Sequence, residues 1–207
     1  MTDFSPDDLP DWDLLAGGVE RVPAGIEFVP AGSVRELRGR RAVIGVPGVG
    51  WRRDIRADNP VVQASRTYVP VLPEQEWYRA EAEQTEVFAP LVPLERVWVE
   101  RTSPTVRPPD DVDLVSRLVS LDTPSARPPR RVRDVVGVTG LRVVRVPGPD
   151  DKAGRDERDL RAVTEPYNSA EGDICVRVCR EVEWYRWGWS GQIPKTMEVP
   201  IHLLWVE

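Results

Sequence analysis

Acidic residues recur in pairs along this 207-residue chain. Glu76 and Glu183 each open a copy of "EWYR", at 76–79 and 183–186, and Glu100 and Glu207 each close a copy of "WVE". Paired carboxylates serve glycoside hydrolysis when two of them face each other across a cleft, a few ångströms apart. Nothing in the sequence sets these acids that way, and Glu207, as the last residue, is a poor position for a rigidly held acid. The single His, His202, has Glu95 at the matching place upstream, so a His-dependent triad or metal cluster would rest on one unreplicated residue. "GVPGVG" (45–50) is Gly-rich, but no Lys-Ser/Thr and no helix follow it, so it reads as a turn rather than a phosphate loop. Cys175 and Cys179 are not spaced as a metal pair. On a strand they lie on one face about 13 Å apart, too far for a disulfide, and read as small core-facing hydrophobes in a reducing compartment. The expectation is a protein that is not an enzyme, with no catalytic residue, no metal and no cofactor.

The residue types that remain suit recognition. Copy B carries "EWYRWGWSG", and Trp187 and Trp189 add aromatic surface to Trp184 and Tyr185. Trp, Tyr and Arg are the residues that interface hot spots favour. The candidate protein-binding set is Trp77, Tyr78, Trp184, Tyr185, Arg186, Trp187 and Trp189. "RELRGRR" and "ARPPRRVR" open the two copies with basic clusters, so Arg38, Arg40, Arg41, Arg130 and Arg131 form a weaker nucleic-acid candidate. Net charge argues against nucleic acid: it is −6, and residues 21–207 are neutral, because residues 1–20 hold six acids and no base. The partner expected is another protein, with self-association open and no membrane.

These residues are positioned by a sequence written twice. Residues 76–100 align on 183–207 without gaps, with identities at Glu76/Glu183, Trp77/Trp184, Tyr78/Tyr185, Arg79/Arg186 and Trp98/Trp205, among others. Upstream, "RDIRADNP" (53–60) pairs with "RDLRAVTEP" (158–166), and "RRAVIGVPGVG" (40–50) resembles "VRDVVGVTGLR" (132–142). Same-order similarity at a fixed spacing is the mark of a tandem duplication. "VPGPDDKAGRDE" (146–157) reads as a loop inserted in the second copy.

Each copy is a series of short β-branched runs punctuated by Gly and Pro. "RRAVIGV", "RDIRA", "RTYVPVL" (or "DICVRVC"), "EWYR" and "LERVWVE" (or "HLLWVE") read as strands. Strict alternation in "RDIRA" sends Asp54 and Arg56 to one face, and Asp159 and Arg161 likewise. They pair there as cross-strand ions, with a ligand site shared by both copies as the alternative. The pattern of each copy resembles SH3-like barrels. The fold expected is mainly β, a tandem duplication of two small SH3-like, half-open β-barrels. Its divisions are an acidic tail and lead-in (1–33), copy A (34–100), a Pro-rich linker (101–125) and copy B (126–207). "DDVDLVSRLVSLD" in the linker fits one short helix or a strand.

No run of about 18 apolar residues and no signal pattern at the N-terminus imply a cytoplasmic protein. Only Lys152 and Lys195 are Lys among 28 basic residues, a usage typical of GC-rich, actinobacterial genomes. The function expected is a protein-interaction module of the antidote or adaptor kind. The alternatives are a structural component of a phage particle or secretion-type assembly, and a nucleic-acid-associated small barrel.

Overall fold

The computed structural model describes residues 21–46, 50–106, 123–148 and 154–207. The acidic segment 1–20 and the linker stretch 110–122, where a short helix or strand is expected, lie outside the described residues.

Val, Ile and Thr dominate the short runs of the chain, and these form strands. The first unit holds β1 (Gly25–Pro30), β2 (Arg41–Val46), β3 (Gly50–Ala57), β4 (Val61–Gln63), β5 (Arg66–Pro73), α1 (Glu74–Glu83), β6 (Leu91–Pro93) and β7 (Val97–Ser103). The second holds β8 (Arg130–Arg131), β9 (Arg142–Arg145), β10 (Glu157–Ala162), β11 (Tyr167–Asn168), β12 (Ile174–Arg180), α2 (Glu181–Ser190), β13 (Met197–Pro200) and β14 (Leu204–Val206). The protein is mainly β, with two seven-stranded antiparallel sheets. The first runs β1-β7-β2-β3-β5-β4 with β6 on β5, and the second β8-β14-β9-β10-β12-β11 with β13 on β12. β1 falls in the segment read as lead-in, and pairs along β7 from Gly25↔Ser103 to Pro30↔Trp98.

The cores correspond position by position. Leu37, Ala42, Ile55, Ala57, Val69 and Val97 fill the first, and Val138, Val143, Leu160, Ala162, Val176 and Leu204 fill the second. A smaller apolar layer lies on the opposite face of each sheet. Val43 packs there with Ile26, Phe28, Trp51 and Trp98, and Val144 with Val146 and Trp205. The recurrent terminal Trp therefore packs against its own sheet in both units.

Several expectations need correction. "EWYR" is helical in both copies, inside α1 and α2. Glu, Gln, Ala and Arg are good helix formers, and acids in the first turn, Glu74 and Glu76, complement the helix dipole. α1 ends on Gln84 in the left-handed conformation, and α2 on Gly191. Consecutive residues on a helix are not on opposite faces, so neither member of Trp77/Tyr78 is fully buried and neither is fully exposed.

The first strand of copy B is also displaced from where the sequence match put it. Residues 132–134 form a 3-10 turn, equivalent to Ala31–Ser33, and the strand is Arg142–Arg145. Arg41 thus matches Arg142, and "GVTG" corresponds to the loop before β2 rather than to the turn after it. In β12, Val176 and Val178 join the core, while Cys175 and Cys179 occupy the other face. Both are buried free thiols all the same.

Strict alternation fails in "RD(I/L)RA". Ala42 pairs with Ile55 and Ile44 with Arg52, so β3 carries one extra residue; β10 repeats this between Leu160↔Val143 and Glu157↔Arg145. The bulge places Asp54 at φ 59° and Asp159 at φ 60°. Asp tolerates this left-handed region better than most side chains. The within-strand pairs Asp54–Arg56 and Asp159–Arg161 are not among the ion pairs formed.

Candidate functional site

Between the two units lies a buried charged seam. Glu74 and Glu181 each begin a helix, so each carboxylate hangs from a helix N-terminus next to the adjoining strand. Both side chains are 1% exposed or less. Buried charges persist only when paired and hydrogen-bonded, and Arg41, Arg56 and Arg161 supply the partners. Arg161 Nε donates to Glu181 Oε1 at 2.8 Å, and its Nη2 to Glu74 Oε2 at 3.2 Å. Arg41 Nε donates to Glu74 Oε1 at 2.9 Å, and its Nη2 to Glu181. Arg56 Nη2 reaches Glu181 Oε2 at 3.2 Å. Its Nε lies 3.1 Å from Glu74 Oε1 but out of line for a hydrogen bond.

The exchange between the units is reciprocal. Tyr78 donates to Glu181 Oε2 at 3.1 Å, and Tyr185 donates to Glu74 Oε2 at 2.8 Å. Each Tyr also accepts from the Arg of its own unit, Tyr78 from Arg56 at 2.7 Å and Tyr185 from Arg161 at 2.8 Å. The two rings stack, with centroids 5.3 Å apart. Arg56 and Arg161 each give Nη1 to the carbonyl of a matching glycine, Gly39 at 2.7 Å and Gly140 at 3.0 Å. Those glycines have φ of 74° and 83° and sit under Trp77 and Trp184, where a Cβ would come within 3.4 Å and 3.6 Å of the indole. Burial pushes the phenol pKa of Tyr78 up, and that of Tyr185 further, with the Glu74 charge adding to it. Both hydroxyls therefore keep the proton they donate.

A second ionic cluster breaks the symmetry. Arg142, the counterpart of Arg41, turns to Glu100 Oε2 at 2.7 Å and Glu207 Oε2 at 3.1 Å. Arg158 holds Glu207 as well, and Arg127 holds Glu100. Burial alone would raise the Glu100 pKa, but the charge and hydrogen bond of Arg142 together with the charges of Arg127 and Arg41 outweigh it and hold that carboxyl below its usual value. Arg41 reaches instead across to Asp159 at 2.8 Å. Glu207, expected to be loosely held, is 4% exposed and clamped by two guanidiniums.

The seam joins the two units through ion pairs and hydrogen bonds. The lone pairs of Glu74 and Glu181 are committed to Arg and Tyr donors, and neither oxygen pair is open to a substrate. Of the other recurrent acids, Glu76 is exposed, and Glu183 accepts the backbone N–H of Lys195 at 2.9 Å. His202 is exposed on the 3-10 turn Ile201–Leu203. Among the described residues no group of His, Cys, Asp and Glu is placed to hold a metal ion, and no helix is long and apolar enough to cross a membrane.

The expected recognition residues divide between this seam and the surface. Tyr78 and Tyr185 belong to the seam, and Trp77 and Trp184 pack over the glycine loops. Arg186 is exposed and Trp187 is 39% exposed, its ring edge-on to Trp184 at 5.6 Å, and Trp189 is half-buried. The basic residues do not form one groove. Arg41 is 13% exposed and locked in the seam. Arg38 pairs with Glu81, and Arg40 gives Nε to the Glu36 carbonyl. Arg131 lies over the Trp205 ring, and Arg130 is exposed at the start of β8.

Sequence reasoning missed Glu74 and Glu181. The signal was present two residues upstream of the match: "EQEWYR" and "EVEWYR" share a further Glu. No protein-family model, no curated protein and no solved structure matches this chain.

Proposed function

We propose that this chain is a non-catalytic protein-binding module, made by tandem duplication of a small SH3-like barrel, whose contact face is the outer side of α2. The matching strand orders, the shared bulge and the equivalent cores support the duplication. The observation that carries the binding face is internal to the molecule. α1 and α2 do the same structural work, each presenting a Glu, a Trp and a Tyr at matching positions. Where α1 has Ala80 and Ala82, α2 has Trp187 and Trp189. The fold is met by Ala at these places, so the two indoles exceed what packing requires. Rigid aromatic surface beside an exposed Arg186 is the composition of an interface hot spot. The seam supports the reading by holding the two halves as one rigid body, which lowers the ordering cost of binding.

The test is affinity capture of the tagged chain from a nuclease-treated lysate of its native host, in parallel with a Trp187→Ala/Trp189→Ala variant. One dominant partner protein, absent with the variant, is expected, with the variant's thermal unfolding within a few degrees of the parent. Capture that vanishes with nuclease, or that the variant leaves unchanged, would remove α2 as the contact face. Large particles in the captured fraction would favour the assembly-component reading.

A further inference from the structure

We propose that the cleft between the two units is an oxyanion site that accepts a phosphate group. The cleft measures about 190 Å³ and opens above the seam. Its walls carry Arg40, Arg41, Arg56, Arg101, Arg142 and Arg158. Only three carboxylates line it, those of Glu100, Asp159 and Glu207. Guanidiniums thus outnumber carboxylates among the lining residues, with Arg41 and Arg56 also paired to Glu74 and Glu181 beneath. Partly desolvated walls strengthen such a field, because less water screens it.

The three acids are already engaged, Glu100 by Arg142 and Arg127, Glu207 by Arg142 and Arg158, and Asp159 by Arg41. Donors remain in excess. Arg40 commits only Nε, to the Glu36 carbonyl, and among the described residues its two terminal nitrogens have no acceptor. The Nε atoms of Arg142 and Arg56 also lack an acceptor in line, but both are fully buried, so the free donors on the cleft wall are those of Arg40. Like charges also crowd the site. At Arg56 burial and the neighbouring Arg41 charge both disfavour the cation, whereas at Arg41 the repulsion from Arg142 is offset by Glu74, Asp159 and Glu100. An anion placed between these guanidiniums relieves that repulsion, and the planar guanidinium fork matches the oxygens of a phosphate group. The volume is below the roughly 300–1,000 Å³ of sites that bury drug-sized ligands, so the occupant is a small ion or the terminal group of a larger molecule.

The site does not depend on the α2 reading, and the experiment keeps the two apart. The full chain is titrated with inorganic phosphate, and separately with phenyl phosphate, at constant ionic strength set with chloride. Thermal unfolding and amide chemical shifts report binding. A saturable rise in Tm is expected, with shifts confined to residues around the cleft. Arg40→Ala, at an exposed position outside the seam, should weaken binding about tenfold and leave the unliganded Tm unchanged. Trp187→Ala/Trp189→Ala should bind phosphate as the parent does. Tighter binding of the phenyl ester would identify a phosphorylated molecule as the source, and equal binding the free ion. A response that does not saturate, that chloride reproduces, or that Arg40→Ala leaves unaltered would overturn the proposal.

Discussion

α1 and α2 begin alike and end differently. Each follows a strand ending in the extended conformation, begins with a buried Glu, places a Trp over a glycine loop and sends a Tyr across the seam. After that the two diverge. The last turns of α1 are Ala and Glu, well solvated and helix-favouring, with Arg79 and Glu83 pairing at 3.0 Å along its surface. The last turns of α2 are Trp, Gly and Trp, costly to expose and poorer in helix propensity. Positions shared by both helices belong to the fold, and positions that differ are free for something else. The chain therefore supplies its own control, and the same logic holds for its charges: Arg56 and Arg161 do one job in both units, whereas Arg41 and Arg142 have separated.

The largest test of this equivalence falls on the two buried acids. Glu74→Ala and Glu181→Ala should each cost about 3–5 kcal/mol, because each leaves three guanidiniums facing one carboxylate in a dry seam. Urea denaturation would show it, and similar losses are expected from the two variants. A loss from one alone would mean that only one acid is needed for the seam. Tyr78→Phe and Tyr185→Phe remove one donor each and should cost about 1–2 kcal/mol apiece. Their stacked rings share the seam, so a double-mutant cycle should give a non-zero coupling energy. Additive losses would show the two crossings to be independent.

The glycine loops are a finer comparison. Gly39→Ala and Gly140→Ala should each destabilise by about 1 kcal/mol, since each puts a Cβ on a left-handed residue. Gly39→Ala should be the worse, its Cβ lying nearer the indole at 3.4 Å against 3.6 Å; calorimetric Tm values would rank them. The smallest effect separates the units by pH. Burial pushes the Cys179 thiol up to about 11 from 9.0. The folded state therefore binds the proton more tightly. That contribution is fully present below pH 9.0 and is lost as pH rises toward 11 and above. The first unit has Leu72 at this place. Cys179→Val should flatten the alkaline slope of stability; an unchanged slope would assign it to other groups.

The strands around Val43, Ile55 and Val97 could be read from the residues, because burial on a sheet leaves a period of two in the sequence. The helices could not be read in the same way. "EWYR" combines β-favouring aromatics with only ten helical residues, too few to print a clear 3.6-residue period. The bulges were hidden for a different reason. An Asp at positive φ looks like any Asp, and one extra residue in a strand shifts the faces of all that follow. The seam was least legible of all. Arg56, Arg161, Tyr78 and Tyr185 were each visible as repeated residues, but which unit each would serve depends on how two sheets dock, and neighbouring residues do not encode that.

The polarity of the seam also bears on how the chain is made. Synthesis proceeds from the N-terminus at roughly 5–20 residues per second, and domains fold as they emerge. The strands of the first unit end at Ser103, and the strands and helix it docks with follow about 40 to 90 residues later. For several seconds its future contact face must stand in the open. A greasy face would invite other nascent chains. A face of Glu74, Arg41, Arg56 and Tyr78 is wetted instead, and keeps the unfinished protein out of aggregates until its second half arrives.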